Sequence, residues 1–485
     1  MSVLWTSVDA ATATGGTVVG DWSVDGVSID TRTLKRGDLF VALKDVRDGH
    51  DFVAAALAAG AGAALVSHAP DDVAEDAPLL IVDNVLEALE NMGRAARKRT
   101  GAKIVAVTGS VGKTSTKEML RVVLERQGRT HVAEASYNNQ WGVPLTLARM
   151  PQDTQFAVIE IGMNHAGETA PLAKLARPDV VMITTVAAAH LEAFDSIFDI
   201  AVEKASIMDG MEPGGVAVLN ADIETSAILC AKTVDARVRD VMFGVHGDDF
   251  QLGEVTLSDD ATIVETRIHG ADGVFKISTA GRHFAMNGLG VLAVVDALGV
   301  DPAIAALDLA AWKPPAGRGT REAIYLDRGD EDQVLWLIDD AFNANPTSMA
   351  AALEVLAAAK PVDGLGRIET GRRIAILGDM LELGTDEDAM HAQIADLPYV
   401  ADLAKVHCVG PLMRHLWERL PIGQQGEWVQ SAADLGPRLH NLVDAGDVVL
   451  VKGSKGIKVS TLVDVLRKMG HPALQAVENM KNEDA

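Results

Sequence analysis

Short apolar runs and longer stretches with helical spacing alternate through the middle of this chain. The short runs are typical of buried strands, and the stretches between them are typical of helices. This alternation indicates a mostly parallel sheet with helices on both faces. The pattern predicts strands at 104–107, 156–161, 180–185 and 216–219, and helices at 114–127, 197–211 and 286–298.

Two further sections flank this middle part. The opening section predicts strands at 39–43, 63–66 and 79–82 and helices at 52–59 and 85–99. Residues 251–278 alternate polar and apolar positions, which favours a small antiparallel insertion. After a linker at 312–317 that contains prolines and a glycine, strands at 334–338, 373–377, 406–409 and 448–451 alternate with helices at 347–359 and 411–420. This last section is predicted to be a second doubly wound sheet.

The chain carries many more acidic than basic residues, and this excess limits the kinds of molecule that it can bind. With a formal net charge of −25, the chain lacks the basic footprint of a sequence-independent nucleic-acid binder. Cys230 and Cys408 are the only cysteines, so no disulfide framework or zinc site is expected. Residues 1–20 lack both a basic start and a continuous apolar run, so we expect no signal peptide and no spanning helix. We predict a cytoplasmic protein that binds neither nucleic acid nor membrane.

A glycine-broken turn directly after the first central strand carries the strongest chemical signal. The turn consists of Gly109, Ser110, Val111, Gly112, Lys113, Thr114 and Ser115. Its backbone N–H groups, the helix N-terminus and Lys113 point at one place, which suits the phosphates of a nucleotide. The Thr114 hydroxyl suits a magnesium ion there. An ordinary turn with a surface lysine is the alternative, and the Gly-Lys-Thr-Ser ending argues against it. We predict that the chain binds a nucleoside triphosphate.

Polar residues near later strands and helices add weaker candidates. Glu160 lies inside an apolar strand, where a magnesium ion would offset the cost of an unpaired charge, unless the strand end is open to water. His190 follows another strand and Lys204 lies on the next helix; taken alone, they favour an ordinary loop histidine and a surface lysine. Asn287 could pair with a base edge. Residues 339–346 place polar side chains at the carboxyl end of a strand, where such sheets bind ligands.

With 485 residues, the chain is too long for a single core. We predict an α/β fold of three domains. A small N-terminal α/β domain spans 1–101, and a central doubly wound, mostly parallel sheet with the phosphate loop spans 102–313. A C-terminal Rossmann-like domain spans 314–485, and its polar tail after Pro472 is expected to fray.

In their order along the chain, these motifs resemble the Mur ligase family, the ATP-dependent amide-forming enzymes of peptidoglycan precursor synthesis. The resemblance covers essentially the whole chain. Segments 29–32, 37–43 and 48–52 resemble the family's domain for a uridine-diphosphate sugar. Four stretches favour the member that adds D-alanyl-D-alanine to UDP-N-acetylmuramoyl-tripeptide, namely 137–146, 160–168, 339–346 and 377–384. The Asp-Asn-Pro-Arg signature of the sibling that adds the third residue is absent from the sequence.

The resemblance implies ATP and Mg²⁺ as cofactors and a role for each candidate residue. Thr114 and Glu160 would hold the magnesium ion that bridges the β- and γ-phosphates. His190 would bind a second magnesium ion. Lys204 would be carbamylated and thereby become a carboxylate-like ligand, which requires a depressed lysine pKa in a partly desolvated site. Lys113, His190 and Lys204 are the implied catalytic residues.

The resemblance also implies contacts with the nucleotide and the substrates. Asn287 would contact adenine, and Arg318 and Asp340 would reach the nucleotide from across the linker. The implied substrate-binding residues are Asp30, Thr31, Arg32, Asn138, Asn139, Asn343 and Asn345. The chain departs from the usual family residues at Val111, Ser115 and Phe342 and in the segment 453–457.

The implied reaction activates a carboxylate as an acyl phosphate, which the amine of the dipeptide then attacks. Closure of the third domain at 314–318 would keep water away from that intermediate. We expect a monomer. The alternatives are a sibling amide ligase, such as the third-residue ligase or a folate polyglutamate synthetase, and a nucleotide switch that performs no ligation. A bare switch needs only phosphate sensing, so Glu160, His190 and Lys204 argue against it.

Overall fold

Three large sheets follow one another along this chain in a computed structural model that describes residues 3–472. The sheets have five, nine and six strands, and a two-stranded ribbon accompanies the first. Helices cover them, so the predicted α/β class with three domains is confirmed. The expected fraying of the tail after Pro472 concerns residues outside the described range. Within residues 3–472, none of the helices combines the length and the apolar character needed to cross a membrane.

The N-terminal domain has a sheet of order β2-β7-β6-β5-β4, in which only β2 runs antiparallel to its neighbour. Strands β1 and β3 pair separately as an antiparallel ribbon. Its elements are β1 (Trp5–Thr6), α1 (Ser7–Thr14), β2 (Thr17–Val19), β3 (Ser23–Val24), β4 (Gly26–Ser28), β5 (Asp38–Val41), α2 (Val53–Ala58), β6 (Ala63–Val66), β7 (Leu79–Ile81) and α3 (Val85–Arg99).

Helix α3 has the ends that the sequence predicts, because local signals define both of them. The Asn84 side chain accepts hydrogen bonds from two backbone N–H groups of the first turn, which is a favourable N-cap. Basic residues occupy the last turn, where they complement the helix dipole. Two of them reach outwards: Arg97 donates to the carbonyl of Ala176, and Arg99 donates to those of Leu4 and Met150. The helix therefore joins the first two domains.

The central domain has a sheet of order β16-β15-β14-β13-β12-β11-β8-β10-β9. Its elements are β8 (Lys103–Thr108), α4 (Lys113–Glu125), β9 (Thr130–Val132), α5 (Gly142–Ala148), β10 (Phe156–Glu160), α6 (Thr169–Ala176), β11 (Val180–Ile183), α7 (Ile197–Ala205), β12 (Val216–Asn220), α8 (Ser226–Ala236), β13 (Arg239–Gly244), β14 (Phe250–Leu257), β15 (Thr262–Ile268), β16 (Ala271–Ile277), α9 (Arg282–Ala297) and α10 (Pro302–Asp308). Along the sheet, neighbouring strands are parallel from the edge strand β9 through β10, β8, β11, β12 and β13 to β14. The remaining pairs, β14 with β15 and β15 with β16, are antiparallel. The predicted antiparallel insertion is confirmed, and it extends the parallel sheet.

Alternate residues of the central strands enter two separate apolar cores. On β8, Val105 and Val107 pack with α4 and α9, whereas Ile104 and Ala106 pack with α6 and α7. A parallel strand covered on both faces is apolar throughout for this reason. The core of α4 and α9 also contains Trp312, which is 1% exposed and contacts the Phe284 ring edge-to-face. The linker therefore starts from a residue anchored in the central domain.

Two helix predictions in this domain have wrong ends. Helix α7 ends at Ala205 and continues only as a 3₁₀ turn over Ser206–Gly210. A Cβ on Gly210 would lie 2.2 Å from the Ala173 backbone, so close packing against α6 governs this turn. Helix α9 begins at Arg282, four residues before the predicted start at 286, because Gly281 with φ 149° provides the preceding bend.

The third domain has a sheet of order β17-β18-β22-β19-β20-β21, parallel except for β17. Its elements are β17 (Thr320–Tyr325), β18 (Val334–Asp340), α11 (Pro346–Ala358), β19 (Arg373–Gly378), α12 (Glu387–Gln393), β20 (Lys405–Val409), α13 (Met413–Arg419), β21 (Gln425–Val429), α14 (Ala432–Leu435), α15 (Leu439–Leu442), β22 (Val448–Lys452) and α16 (Ser460–Met469). The four predicted strands form its centre, and the sequence analysis missed the two edge strands.

Candidate active site

Two glycines shape the loop between β8 and α4. Gly109 has φ 152° and Gly112 has φ 89°, a region that favours glycine. A Cβ on Gly109 would lie 1.9 Å from the Thr184 hydroxyl, and one on Gly112 would lie 2.9 Å from the Asn287 side chain. The glycines therefore let the loop lie directly against the end of β11 and the first turns of α9.

The loop is tied to the segment that follows β11. The Ser110 backbone N–H donates to the Thr185 carbonyl at 2.8 Å, and its hydroxyl donates to the Ala187 carbonyl at 3.0 Å. That hydroxyl also accepts from the Ala187 N–H at 3.0 Å. The Thr184 hydroxyl donates to the Val111 carbonyl at 2.5 Å. These bonds fix the loop against the segment that follows β11.

Lys113 begins α4 and folds back over the loop. Its Nζ donates to the Gly109 carbonyl at 2.6 Å. Burial lowers the pKa of Lys113, while the nearby Glu160 opposes this shift and Arg318 adds to it. A largely desolvated ammonium group at a helix N-terminus is well suited to bind an anion.

A polar cluster surrounds Glu160 at the end of β10. Glu160 is 1% exposed, and its Oε1 accepts from the Thr114 hydroxyl at 3.2 Å and from the Asn138 amide at 2.8 Å. The Thr114 hydroxyl also bonds the Ser136 hydroxyl at 2.9 Å. The structure thus brings together the predicted magnesium pair, Thr114 and Glu160.

The second oxygen of Glu160 tests whether this cluster fits a cation. Oε2 is buried without a hydrogen-bond partner in the described part of the chain, which is costly for a carboxylate. Mg²⁺ is commonly held by one or two carboxylates together with waters and substrate phosphates. Residues 3–472 contain no group of three or more His, Cys, Asp or Glu side chains arranged around a metal. The residues fit an ion that arrives with a nucleotide.

The linker and the third domain approach this cluster from the other side. Arg318 lies 3.4 Å from the Thr114 hydroxyl and stacks on the Phe342 ring at 3.9 Å. Asp340 at the end of β18 binds the Nζ of Lys452 at 2.7 Å. Burial raises the pKa of Asp340, and Lys452 and Arg318 oppose the shift. Arg318 therefore lies beside the phosphate loop, and Asp340 lies within electrostatic range of Arg318.

His190 and Lys204 also lie near Lys113. The His190 Nδ1 is 2.5 Å from the Glu382 carboxylate of the third domain. Burial lowers the pKa of His190; Glu382 opposes this shift, and Lys113 and Lys204 add to it. Lys204 on α7 is 2% exposed, so its interpretation as a surface lysine is wrong. Burial lowers the pKa of Lys204 well below its usual value, with Lys113 adding and Glu203 opposing.

Several predicted substrate residues make local contacts. Asn139 accepts from the Gly142 N–H at the start of α5, and Asn345 caps α11 by accepting from the Ser348 N–H. Asn343 is exposed, and its backbone carbonyl accepts from Lys452. Asn287 is buried beside the phosphate loop.

In the N-terminal domain, Asp30 and Arg32 pair with each other on either side of Thr31. The side-chain hydrogen bonds from Arg32, and then its backbone N–H, lower the pKa of the Asp30 carboxyl. This loop follows β4, so the structure places it on a different domain from the phosphate loop.

Sequence reasoning missed several residues that complete the site. They are Ser136, which holds Thr114; Lys452, which holds Asp340; Glu382, which holds His190; and Glu203, which accepts the N–H groups of Gly167 and Thr169. Only Lys452 had a signal comparable to that of Glu160, since it is a charged residue at the end of a strongly apolar strand. Ser136 lies in a polar segment, and Glu203 and Glu382 occupy positions where an ordinary surface carboxylate is equally compatible with the pattern.

Comparisons with known proteins show the family to which this chain belongs. Sequence profiles described as Mur ligase family, catalytic domain, Mur ligase middle domain, and Mur ligase, glutamate ligase domain match residues 23–98, 107–295 and 328–455, respectively. The chain belongs to the Mur ligase family, which consists of amide-forming ligases. It is 31% identical to the UDP-N-acetylmuramoyl-tripeptide–D-alanyl-D-alanine ligase of Rickettsia prowazekii, across 95% of this chain and 99% of that protein.

Solved structures show the same relationship. MurF from Acinetobacter baumannii superimposes with a TM-score of 0.81 at 28% identity, covering 96% of this chain and 99% of that one. The MurF ligase of Thermotoga maritima, solved in complex with ADP, has a TM-score of 0.74 at 25% identity and covers 92% of this chain and 97% of that one. The predicted family and its three-domain architecture are confirmed.

Proposed function

We infer that this chain is the ligase that joins D-alanyl-D-alanine to UDP-N-acetylmuramoyl-tripeptide in peptidoglycan precursor synthesis. It is an ATP-dependent enzyme that forms an amide bond. The observation that carries this conclusion is the match to the Rickettsia prowazekii ligase of that activity over 95% of the chain. The buried cluster around the phosphate loop supports it, because it gathers the groups that phosphoryl transfer requires.

The chemistry follows from the stability of a carboxylate, which does not react with an amine at neutral pH. The γ-phosphoryl group of ATP is transferred to the terminal carboxylate of the tripeptide, which gives an acyl phosphate and ADP. The amine of D-alanyl-D-alanine then attacks the acyl carbon, and phosphate leaves. The loop N–H groups and Lys113 hold the phosphates in place, and Arg318 approaches the same position from the linker.

We propose that Thr114 and Glu160 bind Mg²⁺ with the nucleotide. The ion would neutralise charge on the phosphates and orient them. The unpartnered Glu160 Oε2 supports this assignment. His190 is the proposed ligand for a second magnesium ion.

Lys204 is the proposed site of carbamylation, and a comparison of buried lysines supports the assignment. Lys117 donates to the carbonyls of Ala133 and Ala135, and Lys452 binds Asp340. Lys204 is equally buried, and burial together with the nearby Lys113 lowers the pKa of its amine, while Glu203 opposes the shift. A neutral amine can attack carbon dioxide to form an N–C bond and release a proton. The resulting carbamate is an anion suited to a metal ion.

The remaining assignments are proposals of the same kind. We assign Asp30, Thr31 and Arg32 to the nucleotide sugar, and Asn138 and Asn139 to the acceptor end of the tripeptide. We assign Asn343 and Asn345 to the dipeptide, and Asn287 to adenine. The domain limits are 1–101, 102–313 and 314–485, and the enzyme acts as a cytoplasmic monomer without nucleic acid.

A phosphate-release assay tests the function. We expect release from ATP only when UDP-N-acetylmuramoyl-tripeptide and D-alanyl-D-alanine are both present, with the pentapeptide product confirmed by mass spectrometry. Tripeptides ending in diaminopimelate or lysine should be crossed with several dipeptides and with single amino acids. Product from a single amino acid would instead indicate a sibling ligase. ATP hydrolysis that ignores both substrates would indicate a nucleotide switch.

A further inference from the structure

One contact joins the central domain to the third domain inside the candidate active site. The His190 Nδ1 lies 2.5 Å from the Glu382 Oε2. His190 follows β11 and α7 begins soon after it, whereas Glu382 follows β19. The contact therefore depends on how the third domain is docked.

Both partners have an unusual backbone. His190 has φ 59° and Glu382 has φ 65°, the left-handed region that side chains other than glycine rarely adopt. Such conformations persist only where the surrounding structure enforces them. His190 and Glu382 both have this backbone conformation and are joined by one hydrogen bond. The surrounding structure therefore constrains the geometry of that bond.

The third domain holds Glu382 through its neighbours along the chain. The Met380 N–H donates to the His391 ring at 2.9 Å, and the Leu381 N–H donates to the Ser454 hydroxyl at 2.9 Å. Leu383 is buried in an apolar core of the third domain. The carboxylate is thus presented on a braced loop, although its own side chain is 54% exposed.

The chemistry of the contact determines what remains available on the imidazole. A carboxylate at Nδ1 favours a proton on that nitrogen, which leaves the lone pair on Nε2. Histidines that bind metals commonly donate their other N–H to a carboxylate in this manner. The contact therefore prepares Nε2 as a ligand.

We propose that Glu382 is a positioning residue that sets the tautomer and orientation of His190, so that this ligand is formed only when the third domain is docked. The inference rests on the proposed function, in which His190 binds the second magnesium ion. It would make acyl transfer conditional on domain closure.

A second ion pair between the same domains provides a matched control. Arg282 on α9 lies 3.1 Å from Glu354 on α11. Like the His190–Glu382 contact, this ion pair joins side chains of the central and third domains. Unlike His190, neither of its residues has an assigned role in the reaction. Arg282→Gln therefore removes an interdomain ion pair without touching His190.

The experiment measures Mn²⁺ binding to the full-length protein with ADP, by electron paramagnetic resonance, together with kcat. We expect Glu382→Ala to weaken Mn²⁺ binding and lower kcat by about tenfold to hundredfold, the usual effect of losing the carboxylate behind a ligand. Glu382→Gln, whose amide oxygen still accepts from Nδ1–H, should stay within about threefold of the wild type. Arg282→Gln should leave Mn²⁺ binding unchanged.

A double-mutant cycle separates positioning from domain docking. In a His190→Ala background, Glu382→Ala should cause no further loss of Mn²⁺ affinity, because both changes affect one ligand. The proposal would be overturned if Glu382→Ala lowered Mn²⁺ affinity equally in the wild-type and His190→Ala backgrounds. It would also be overturned if Glu382→Ala and Arg282→Gln had equal effects on Mn²⁺ binding. If the wild type forms no pentapeptide product, the proposed function fails instead, and the Mn²⁺ measurements still decide the role of Glu382.

Discussion

At the scale of single residues, the charged groups near the phosphate loop share one property. Burial lowers the pKa of Lys113, Lys204 and Arg318 and raises the pKa of Asp340. Each shift favours the neutral form, because water has been removed from around the ion. A bound triphosphate would bring negative charge close to the cations and oppose the lowering of their pKa values. The desolvation of these cations strengthens their electrostatic interaction with phosphates.

Lys204 offers the sharpest test at this scale. We expect Lys204→Ala and Lys204→Arg both to lose most activity, since neither side chain can form a carbamate and a guanidinium keeps a positive charge facing the metal. Short carboxylic acids should partly restore Lys204→Ala by occupying the vacated position. Steady-state rates with and without added formate or acetate measure this.

The control for Lys204 is Lys174→Arg, at an exposed lysine on α6. It should be near neutral in rate and stability. A Lys204→Arg enzyme as active as this control would show that no carbamate forms. The second metal site would then consist of His190 and water.

At the scale of elements, the sequence predicts what local patterns encode. Strands β8, β11 and β22 are mostly apolar because both of their faces are covered, and α3 carries its own caps. Strands β17 and β21 were missed because their residues are mostly half-exposed. The end of α7 was wrong because Gly210 packs against α6, a contact between distant segments.

In the candidate site too, features encoded by a local motif could be predicted, whereas contacts between distant segments could not. The phosphate loop is one continuous motif, so its function could be predicted from the residues, and the family resemblance supplied the roles of Glu160 and Lys204. Ser136, Glu382 and Lys452 come from remote segments, and only the folded chain shows what they contact.

Helix α4 holds the loop after β9 through a buried lysine. Lys117 is fully buried and binds the carbonyls of Ala133 and Ala135, just before Ser136 and Asn138 reach the Thr114–Glu160 cluster. We expect Lys117→Met to raise the KM for ATP by about fivefold or more and to lower the melting temperature, since the Ala135 carbonyl loses its donor at a cost of about 1–3 kcal/mol. The Ala133 carbonyl keeps its hydrogen bond from Arg121.

Lys103→Met is the matched control for Lys117, because Lys103 is 56% exposed and pairs with Asp179 at the opposite end of β8. Exposed pairs contribute little, so its KM should not change. A Lys117→Met enzyme with a lower melting temperature but an unchanged KM would mean that the lysine stabilises the fold alone.

At the scale of the whole molecule, the two interdomain junctions differ. The apolar core of the N-terminal domain includes Leu145 and Ala148 of α5, and Trp5 donates to the Ala148 carbonyl. The two apolar clusters of the third domain draw, within the described residues, only on positions between 324 and 469. The N-terminal and central domains therefore share an apolar core. Within the described residues, the apolar clusters of the third domain include no residue of the central domain.

We therefore expect the third domain, from about Pro314, to swing toward the central domain when ligands bind, while the first two domains move together. Small-angle scattering should show a smaller radius of gyration with ADP, magnesium and product than without ligands. Superimposable profiles of the two states would contradict this expectation. A change confined to the N-terminal domain, detected by a label there, would also count against it.

The burial of Trp312 has a consequence for how the chain is made. Synthesis proceeds from the N-terminus, and domains generally fold as units during it. The core formed by α4 and α9 lacks this indole until the chain has been extended past Trp312. The central domain therefore completes its core only after the linker has left the ribosome, and the third domain emerges after it.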